Sequence, residues 1–389
     1  MELAGLRAVV IGAGIGGLAA ARALALRGAE VTLLEQAPEI AEVGAGLQIS
    51  PNGFAVLRAL GLERDLAAAS VQARAVSLRD YRGAGVLRLD LTRLPDPSYY
   101  FVHRADLVEL LGAGARAAGV TIRLLQRVER IEGGARPVLR MANGTSLSAD
   151  LVVGADGLHS RLRPVLNAGA AKPFFTGQVA WRAVVPNVER AGPEAQVHMG
   201  PGRHLVCYPL RGGTALNLVA VQERKAWAEE GWHHRDDPAN LRAAFAGFGP
   251  AARAMLERVE EVHLWGLFRH PVAQVWQRNR MALLGDAAHP TLPFLAQGAS
   301  MALEDAWVLA DELARGADLV AGLAAYQHRR EGRVRRVIAA ANGNAWKYHL
   351  GFAPLRLAAH MAMRLGGMLA PDRMMRRFDW LYAHDVTAG

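Results

Sequence analysis

The residue types that point most directly to chemistry are three glycines and an acid near the start of the chain. Gly12, Gly14 and Gly17 have the spacing GxGxxG after an apolar run at residues 8–11, and Glu35 closes the next apolar run. Such glycines permit a tight turn, a close approach of helix N–H groups to a pyrophosphate, and close packing of helix on sheet. The acid can accept hydrogen bonds from ribose hydroxyls. The pattern predicts dinucleotide binding; the alternative is a glycine turn in an ordinary βαβ unit.

Two aspartates follow later apolar runs in the same way. Asp156 comes after residues 151–154, and Asp286 comes after residues 281–284. Ligands of open α/β sheets bind beyond the carboxyl ends of the strands, so three such ends could surround one large cofactor. Each aspartate could hold a ribose or polyol hydroxyl, or it could cap a helix.

Composition limits the class of protein. A length of 389 residues suggests two or three domains, and the net charge is +9 with histidine neutral. Cys207 is the single cysteine, which excludes a disulfide within the chain and a cysteine-based metal site, and no metal site is predicted. No basic, aromatic-rich motif indicates nucleic-acid binding. We expect the clustered arginines to form a solvated helix face, with an anionic membrane surface or anionic substrates as the alternatives: Arg329, Arg330, Arg333, Arg335, Arg336, Arg373, Arg376 and Arg377.

The apolar patterns predict a cytoplasmic protein without stable membrane insertion. The N-terminal apolar run is short and reads as a strand, not a signal peptide, and no apolar run is long enough to span a membrane. The segment at residues 355–370 is amphipathic and rich in methionine. It predicts core packing or a homodimer contact, with a membrane-surface helix as the alternative.

The elements that must position these residues alternate between strand and helix patterns at both ends of the chain. Glycines at 42–52 predict a loop, and helices are predicted from Pro51 to Gly61 and from His103 to Ala118. Residues 173–277 read mostly as strands, with a short helical stretch after Asp237. Further predicted elements are a hairpin at 71–91, a strand at 120–131, a hairpin turning at Asn143 and Gly144, a strand from Met281, a helix at 299–315, and two or three helices after it.

Three motifs in order carry a resemblance to a known family. They are GAGIGG with Glu35, ADLVVGADGLHSRLR at 149–163, and RMALLGDAAHPTLPFLAQGASMALEDAWVLADEL at 280–313; FDWLYAHD at 378–385 also fits. The chain resembles the single-component (class A) FAD-dependent aromatic hydroxylases, a group that includes salicylate hydroxylase and 3-hydroxybenzoate 6-hydroxylase. The resemblance implies an α/β fold, in which a glutathione-reductase-like, Rossmann-type FAD domain carries an inserted sheet-rich substrate domain and a helical C-terminus. The implied division is residues 1–70, 100–172 and 277–330 for FAD, 71–99 and 173–276 for substrate, and 331–389 for the C-terminal helices.

The same resemblance implies the reaction. Bound FAD would accept hydride from NADH or NADPH as a transient donor, because no second GxGxxG unit is present. A flavin C4a-hydroperoxide would then hydroxylate a small aromatic acid or phenol of the salicylate, hydroxybenzoate or hydroxynicotinate type with O2. The alternatives are a ring hydroxylase of a ubiquinone precursor, and a flavin-binding oxidase or sensor without hydroxylase activity.

The resemblance implies roles in FAD binding for the residues of this chain that match the family's motifs. Glu35 would hold the adenosine ribose, Arg104 the pyrophosphate by bidentate geometry, and Val128 the adenine through its backbone. Gln48 would approach the flavin, and Asp286 with residues 298–300 would flank the ribityl chain and pyrimidine edge. The full predicted cofactor set is Gly12, Ala13, Gly14, Gly17, Glu35, Gln36, Gly46, Gln48, Arg104, Val128, Asp156, Asp286, Gly298, Ala299 and Ser300.

Residues that meet the substrate are less clearly marked, and the predicted set is His204, Cys207, His289 and Pro293. Relatives acting on 3-hydroxybenzoate are expected to carry histidine just before Tyr-Pro, where this chain has Cys207. A thiol is a poorer base than imidazole near neutral pH. Cys207 could therefore be a buried apolar residue, and His204 could be the base or lie at the surface.

Other positions keep two interpretations each. His289 is structural or adjacent to the flavin, and Pro293 falls where some relatives carry a polar substrate contact. Arg182 pairs with a substrate carboxylate or is a charge on a strand face. Arg161 and Arg163 meet the nicotinamide or are solvated.

Overall fold

The computed structural model describes residues 3–40, 45–169, 171–224 and 235–388. In chain order the strands are β1 Arg7–Ile11, β2 Glu30–Leu34, β3 Gly46–Ile49, β4 Ser70–Gln72, β5 Ala75–Asp80, β6 Gly85–Asp90, β7 Tyr100–His103, β8 Thr121–Arg123, β9 Val128–Glu132, β10 Val138–Met141, β11 Ser146–Ser148, β12 Leu151–Gly154, β13 Phe174–Pro186, β14 Glu194–Gly200, β15 Arg203–Leu210, β16 Ala215–Glu223, β17 Arg235–Asp236, β18 Val262–Arg269, β19 Gln277–Arg278 and β20 Met281–Leu283. The α-helices are α1 Ile15–Ala25, α2 Pro51–Ala59, α3 Glu63–Ala69, α4 Arg104–Ala117, α5 Arg163–Leu166, α6 Pro238–Ala244, α7 Pro250–Glu257, α8 Gly298–Arg315, α9 Leu319–Tyr348, α10 Ala353–Leu369, α11 Pro371–Arg376 and α12 Asp379–Tyr382.

A six-stranded sheet with the order β19-β20-β12-β1-β2-β8 carries the glycine-rich motifs. Its strands are parallel except β19. The apolar side chains of β1, β2, β12 and β20 are buried, as expected for a parallel sheet covered on both faces. Ile11 is level with Leu34 on one side and with Gly154 on the other, and Gly154 is level with Leu283. The prediction that the three strand ends lie together is therefore confirmed.

An eight-stranded sheet with the order β17-β18-β13-β16-β15-β14-β5-β6 faces these strand ends. All neighbours in it are antiparallel except β14 and β5. Helices α6 and α7 cover one face, where Phe245 and Leu256 share a core with Trp181 and Leu205. Because this sheet draws its strands from residues 71–99 and 173–276, it supports the division into an FAD domain and a substrate domain, which stays a proposal.

Two predicted elements are corrected. Residues 120–131 do not form one strand, since Leu125 has a φ of 56° and separates β8 in the large parallel sheet from β9 in a small sheet with β10 and β11. The loop predicted at 42–52 becomes the strand β3 at its second half, which pairs with β7. Residues 42–44 of that loop lie outside the described residues.

The C-terminal helices cover the edge of the eight-stranded sheet. A Cβ on Gly367 of α10 would lie 2.6 Å from Leu87 of β6, and Arg364 donates to the Gly85 carbonyl at 2.8 Å. The other face of α10 exposes Leu357, Met361 and further apolar side chains. Among the helices in the described part of the chain, none combines the length and apolar character needed to cross a bilayer. The homodimer contact stays a prediction.

Candidate active site

A cavity of about 540 Å³ lies between the carboxyl ends of the parallel strands and the uncovered face of the eight-stranded sheet. Strand-end loops, the first turn of α8 and four antiparallel strands surround it. Nine of the predicted site residues line it: Gly14, Gly46, Gln48, Arg104, Asp286, Gly298, Ala299, His204 and Pro293.

The glycine turn between β1 and α1 fits a phosphate-bearing cofactor. Gly12 has a φ of 100°, and a Cβ there would lie 2.5 Å from the Ala155 carbonyl oxygen, while a Cβ on Gly17 would clash with the Gly12 carbonyl. Gly14 differs, because no heavy atom lies within 4 Å of its Cβ position and it lines the cavity. The N-terminus of α1 therefore opens onto free space, as pyrophosphate binding by helix N–H groups requires.

Glu35 stabilises the glycine turn between β1 and α1 through two hydrogen bonds to backbone N–H groups. Its Oε2 accepts a hydrogen bond from the Ala13 N–H at 2.8 Å, and its Oε1 accepts one from the Ala37 N–H at 2.9 Å. Gln36 beside it is exposed, and Val128 is buried in β9. None of these side chains lines the cavity, so the adenosine-binding roles of Gly12, Ala13, Gly17, Glu35, Gln36 and Val128 stay predictions.

On the opposite wall, β3 and the start of α4 bring polar groups to the cavity. Gly46 donates its N–H to Asn217 Oδ1 at 2.6 Å, and a Cβ there would lie 2.7 Å from the Tyr208 ring, so only glycine fits. Gln48 Oε1 accepts a hydrogen bond from the Tyr99 hydroxyl at 2.8 Å. Arg104 is the first residue of α4 and places its side chain on the cavity wall.

The two strand-end aspartates do different things. Asp156 Oδ2 accepts from the Arg161 N–H at 2.6 Å, so its carboxylate caps its own loop, and the side chain does not line the cavity. Asp286 does line it. Asp286 is exposed to the open cavity, but desolvation by the protein atoms around it raises its pKa, and His289 and Arg104 oppose that shift. From the sequence, each of the two aspartates could cap a helix or bind a ligand. In the structure only Asp286 faces the cavity.

Arg163 is a structural residue and not a nicotinamide contact. It is buried, and its guanidinium Nη1 donates to the carbonyls of Ala287 and Ala288 at 3.0 and 3.1 Å. Burial lowers the pKa of Arg163 to about 10, which leaves it charged at neutral pH. It fixes the loop that carries Asp286. Arg161 is exposed and its role stays a prediction.

A buried network of charges supports this loop and the first turns of α8. Arg330 of α9 donates to Glu304 at 2.5 Å and to Asp305 at 2.7 Å, and Arg333 binds Glu304 through both Nε and Nη2 at 2.8 Å. Burial alone would raise the pKa of each acid, but the arginines, and His289 beside Asp305, outweigh it and lower both values to about 2. The solvated face expected for Arg330 and Arg333 is therefore wrong: Arg330 is 0% exposed.

His289 and Ser300 belong to this network as well. His289 Nε2 lies 2.5 Å from Asp305 Oδ2, and Asp305 also accepts the Gly285 N–H at 3.0 Å. Ser300 Oγ lies 3.1 Å from Ser50 Oγ, away from the cavity. His289 is therefore structural, as one interpretation had it, and the predicted catalytic role is not supported. Ser300 can reach a cofactor only through its backbone.

Alternation along β15 separates the substrate-facing residues from the core. His204, Val206 and Tyr208 line the cavity, whereas Leu205 and Cys207 pack with Trp181 in the core below the sheet. Burial raises the pKa of Cys207 to about 12. The catalytic prediction for Cys207 is therefore wrong, because successive side chains of a strand point to opposite faces.

Arg182 on β13 follows the same alternation and faces the cavity. Its guanidinium lies 4.7 Å from the centre of the Trp265 ring, and no acid pairs with it among the described residues. Burial lowers its pKa to about 10, so it remains a cation at neutral pH. No local sequence pattern separates Arg182 from a solvated strand charge, since its exposure depends on what the sheet packs against.

A family model described as an FAD binding domain matches residues 6–341. The chain is 37% identical over 398 residues to 3-amino-4-hydroxybenzoate 2-monooxygenase PtmB3 of Streptomyces platensis, covering 98% of this chain and 96% of that protein. It is 34% identical over 402 residues to 3-hydroxybenzoate 6-hydroxylase of Polaromonas naphthalenivorans, and the match covers 98% of this chain and 97% of that protein. The crystal structure of Klebsiella pneumoniae HpxO complexed with FAD and uric acid matches with a TM-score of 0.85 at 28% identity. This match covers 96% of this chain and 97% of that one.

These matches define an FAD-binding flavoprotein over most of the chain. The chain belongs to the FAD-dependent aromatic monooxygenase family, and the predicted α/β fold, enzyme class and FAD cofactor are confirmed. The open N-terminus of α1, the cavity-facing Asp286 and the first turn of α8 fit that cofactor.

Proposed function

We propose that this monooxygenase hydroxylates a small aromatic acid that already carries a ring hydroxyl, with NADH or NADPH as the electron donor. The observation that carries the proposal is Arg182, a cation on the cavity wall without an acidic partner among the described residues. Arg182 is partly buried on the cavity wall, so an anion bound there would gain a charge-assisted contact. A benzoate-type carboxylate supplies that anion, and both aromatic acids named by the two relatives carry one.

The chain's own residues would bind and orient the ring. Arg182 would hold the carboxylate by a charge-assisted, bidentate contact. Burial raises the pKa of Tyr208, so its hydroxyl stays protonated and can donate a hydrogen bond. Apolar residues around the cavity would exclude water from the reacting ring: Val206, Val219, Leu267 and Leu292. FAD, when bound, supplies the redox chemistry that activates O2.

A carboxylate contact with Arg182 distinguishes an aromatic-acid hydroxylase from the two alternatives, a ubiquinone-precursor hydroxylase and a flavin-binding oxidase or sensor. Recognition of a ubiquinone precursor would rest on its long apolar tail and not on a charge contact with Arg182. A flavin oxidase or sensor would consume NADH or NADPH without transferring oxygen to an aromatic ring. Hydroxynicotinate-type heterocycles carry the same carboxylate and remain inside the proposal.

The test is a substrate screen with matched ligand pairs. FAD-loaded protein is mixed with NADH or NADPH and with salicylate, 3-hydroxybenzoate, 4-hydroxybenzoate, 3-amino-4-hydroxybenzoate or 6-hydroxynicotinate, each beside its carboxamide. We expect at least one acid to accelerate nicotinamide oxidation and to gain the mass of one oxygen, and its amide to do so at least tenfold less well, about the effect of losing a charged hydrogen bond. Equal turnover of acid and amide contradicts the role of Arg182. Acceleration with only hydrogen peroxide formed contradicts the hydroxylation.

A further inference from the structure

A chain of hydrogen bonds leads from the cavity to the protein surface. His204 of β15 lines the cavity, and its Nδ1 lies 2.7 Å from Nε2 of His349. Nδ1 of His349 lies 2.8 Å from Oε1 of Glu223, at the end of β16. Both histidines are buried, whereas the Glu223 side chain is 53% exposed. The three residues therefore join the substrate side of the sheet to solvent.

The direction of these hydrogen bonds follows from the carboxylate at the outer end. A carboxylate only accepts, so His349 donates from Nδ1, and in the neutral ring its Nε2 then accepts. His204 must then donate from Nδ1, which leaves its Nε2 as an acceptor. That Nε2 has no hydrogen-bond partner among the described residues. The acceptor end of the chain therefore lies on the side chain that faces the cavity.

The surrounding backbone holds this arrangement. Gly202, in the turn between β14 and β15, donates its N–H to the His349 carbonyl at 3.2 Å and accepts the Glu223 N–H at 2.9 Å. The His204 ring also packs against Phe294 and Tyr348. Residue 349 comes directly after α9, so the C-terminal helices and the substrate sheet build this chain together.

We propose that His204, His349 and Glu223 form a proton relay, which takes the proton from the ring hydroxyl of a bound aromatic substrate and passes it to solvent. The proposal rests on the proposed function, which supplies the hydroxylated ring. His204 is the catalytic base, and His349 and Glu223 act through it as positioning residues.

The proton transfers balance without any further reactant. The substrate O–H bond breaks and an N–H bond forms at His204 Nε2. The His204 Nδ1 proton moves to His349 Nε2, the His349 Nδ1 proton moves to Glu223, and water removes it there. The products are a phenolate, whose ring is more electron-rich than the phenol, and a proton in solvent. The reverse path protonates the product and restores the starting tautomers.

The electrostatic surroundings of His204 and His349 disfavour the protonated, positively charged form of each ring. Burial, with His349 beside it, lowers the pKa of His204 well below its ordinary value. Burial also lowers the pKa of His349, with Arg203 adding to that shift and Glu223 opposing it. These surroundings disfavour a positive charge on either ring, so neither histidine is a resting place for the proton.

The first test needs no substrate. The FAD-loaded chain of 389 residues, labelled with ¹⁵N-histidine, is studied by long-range NMR, with His204→Asn and His349→Phe used to assign the two rings. We expect both rings as the Nδ1–H tautomer, and we expect Glu223→Gln to change the His349 signals. A His204 ring protonated mainly at Nε2 overturns the relay, because that nitrogen then cannot accept.

The second test uses 4-hydroxy-3-nitrobenzoate as the probe, because its phenolate absorbs visible light. We expect its ionisation constant to rise about tenfold on binding to the FAD-loaded protein, and we expect His349→Phe and Glu223→Gln each to abolish most of that rise. His328→Asn, an exposed histidine of the same helix α9, is the matched control and should keep it.

The outcomes separate the relay from the proposed function. A probe that binds and ionises equally in all four proteins overturns the relay and leaves the proposed function standing. A probe that fails to bind, together with the expected tautomers, counts against the substrate class and supports the relay.

Discussion

Two groups of charge border the cofactor space, a network of four residues and a single arginine, and they differ in how their charges are satisfied. Below α8, Glu304, Asp305, Arg330 and Arg333 are buried and fully engaged with one another. In the cavity, Arg182 lies against Trp265, and no acid pairs with it among the described residues. The first group completes its interactions within the chain, whereas Arg182 faces the cavity and is open to a ligand.

This difference separates scaffold from site. A buried charge with its partners inside the chain fixes the position of the elements it joins, here α8, α9 and the loop of Asp286. A charge that faces a cavity without an acidic partner is instead a candidate recognition element, because an anion of suitable shape can pair with it. Substitutions in the two groups should therefore change different quantities.

The largest effect is expected for Arg330→Met. The substitution leaves Glu304 and Asp305 buried without their shared partner, so we expect the free energy of unfolding to fall by about 3–5 kcal/mol. Denaturant unfolding of the FAD-loaded protein measures this. Arg335→Met, on the exposed face of the same helix, should cost under about 0.5 kcal/mol. Similar losses for both variants would remove the distinction between network and surface.

Arg182→Gln should affect ligand binding and not stability. Loss of a charged hydrogen bond is worth about 1.5–3 kcal/mol, so we expect the Kd of the best aromatic acid to rise about 10–100-fold. The Kd of the matched amide should change much less. Arg253→Gln, an exposed arginine of α7, is the control. A fall in stability without a change in Kd would place Arg182 with the scaffold group.

Asp286→Ala should weaken FAD binding by about tenfold, since a hydrogen-bonding group facing the cofactor is lost. Titration of the apoprotein with FAD, followed by flavin fluorescence, measures the Kd. Asp156→Ala is the informative comparison, because that carboxylate caps its own loop. Equal weakening by both substitutions would show that the cavity lining does not distinguish the two aspartates.

The smallest effect is expected for Cys207→Ala. The thiol lies in the core behind the sheet, so we expect a loss of about 1 kcal/mol in stability from reduced packing. The kcat/KM for the best substrate should stay within about twofold, well under one kcal/mol. A larger loss of turnover than of stability would mean that Cys207 reaches the reaction.

Much of the FAD site could be predicted from local sequence. The spacing of Gly12, Gly14 and Gly17, and the aspartate that follows the strand at 281–283, are local patterns with local physical causes. The parallel pairing of the strands then places Asp286 beside the glycine turn. These predictions succeed because strand ends in a parallel sheet meet at one edge.

The sequence by itself determined the family and the cofactor, because each motif that carries them is a local pattern of residues. It did not determine every element, since the segment at 120–131 divides into β8 and β9 and part of the loop expected at 42–52 forms β3. Only the tertiary structure decided that Cys207 faces the core while His204 faces the cavity. It alone decided that Arg330 is buried among acids and that His349 and Glu223 meet His204. These outcomes depend on which face of a strand or helix is covered, and the covering elements lie more than a hundred residues away for His204 and His349. The sequence determines which side chains are charged. The packing of the folded chain determines whether each charge is paired within the protein or faces a cavity where a ligand can bind.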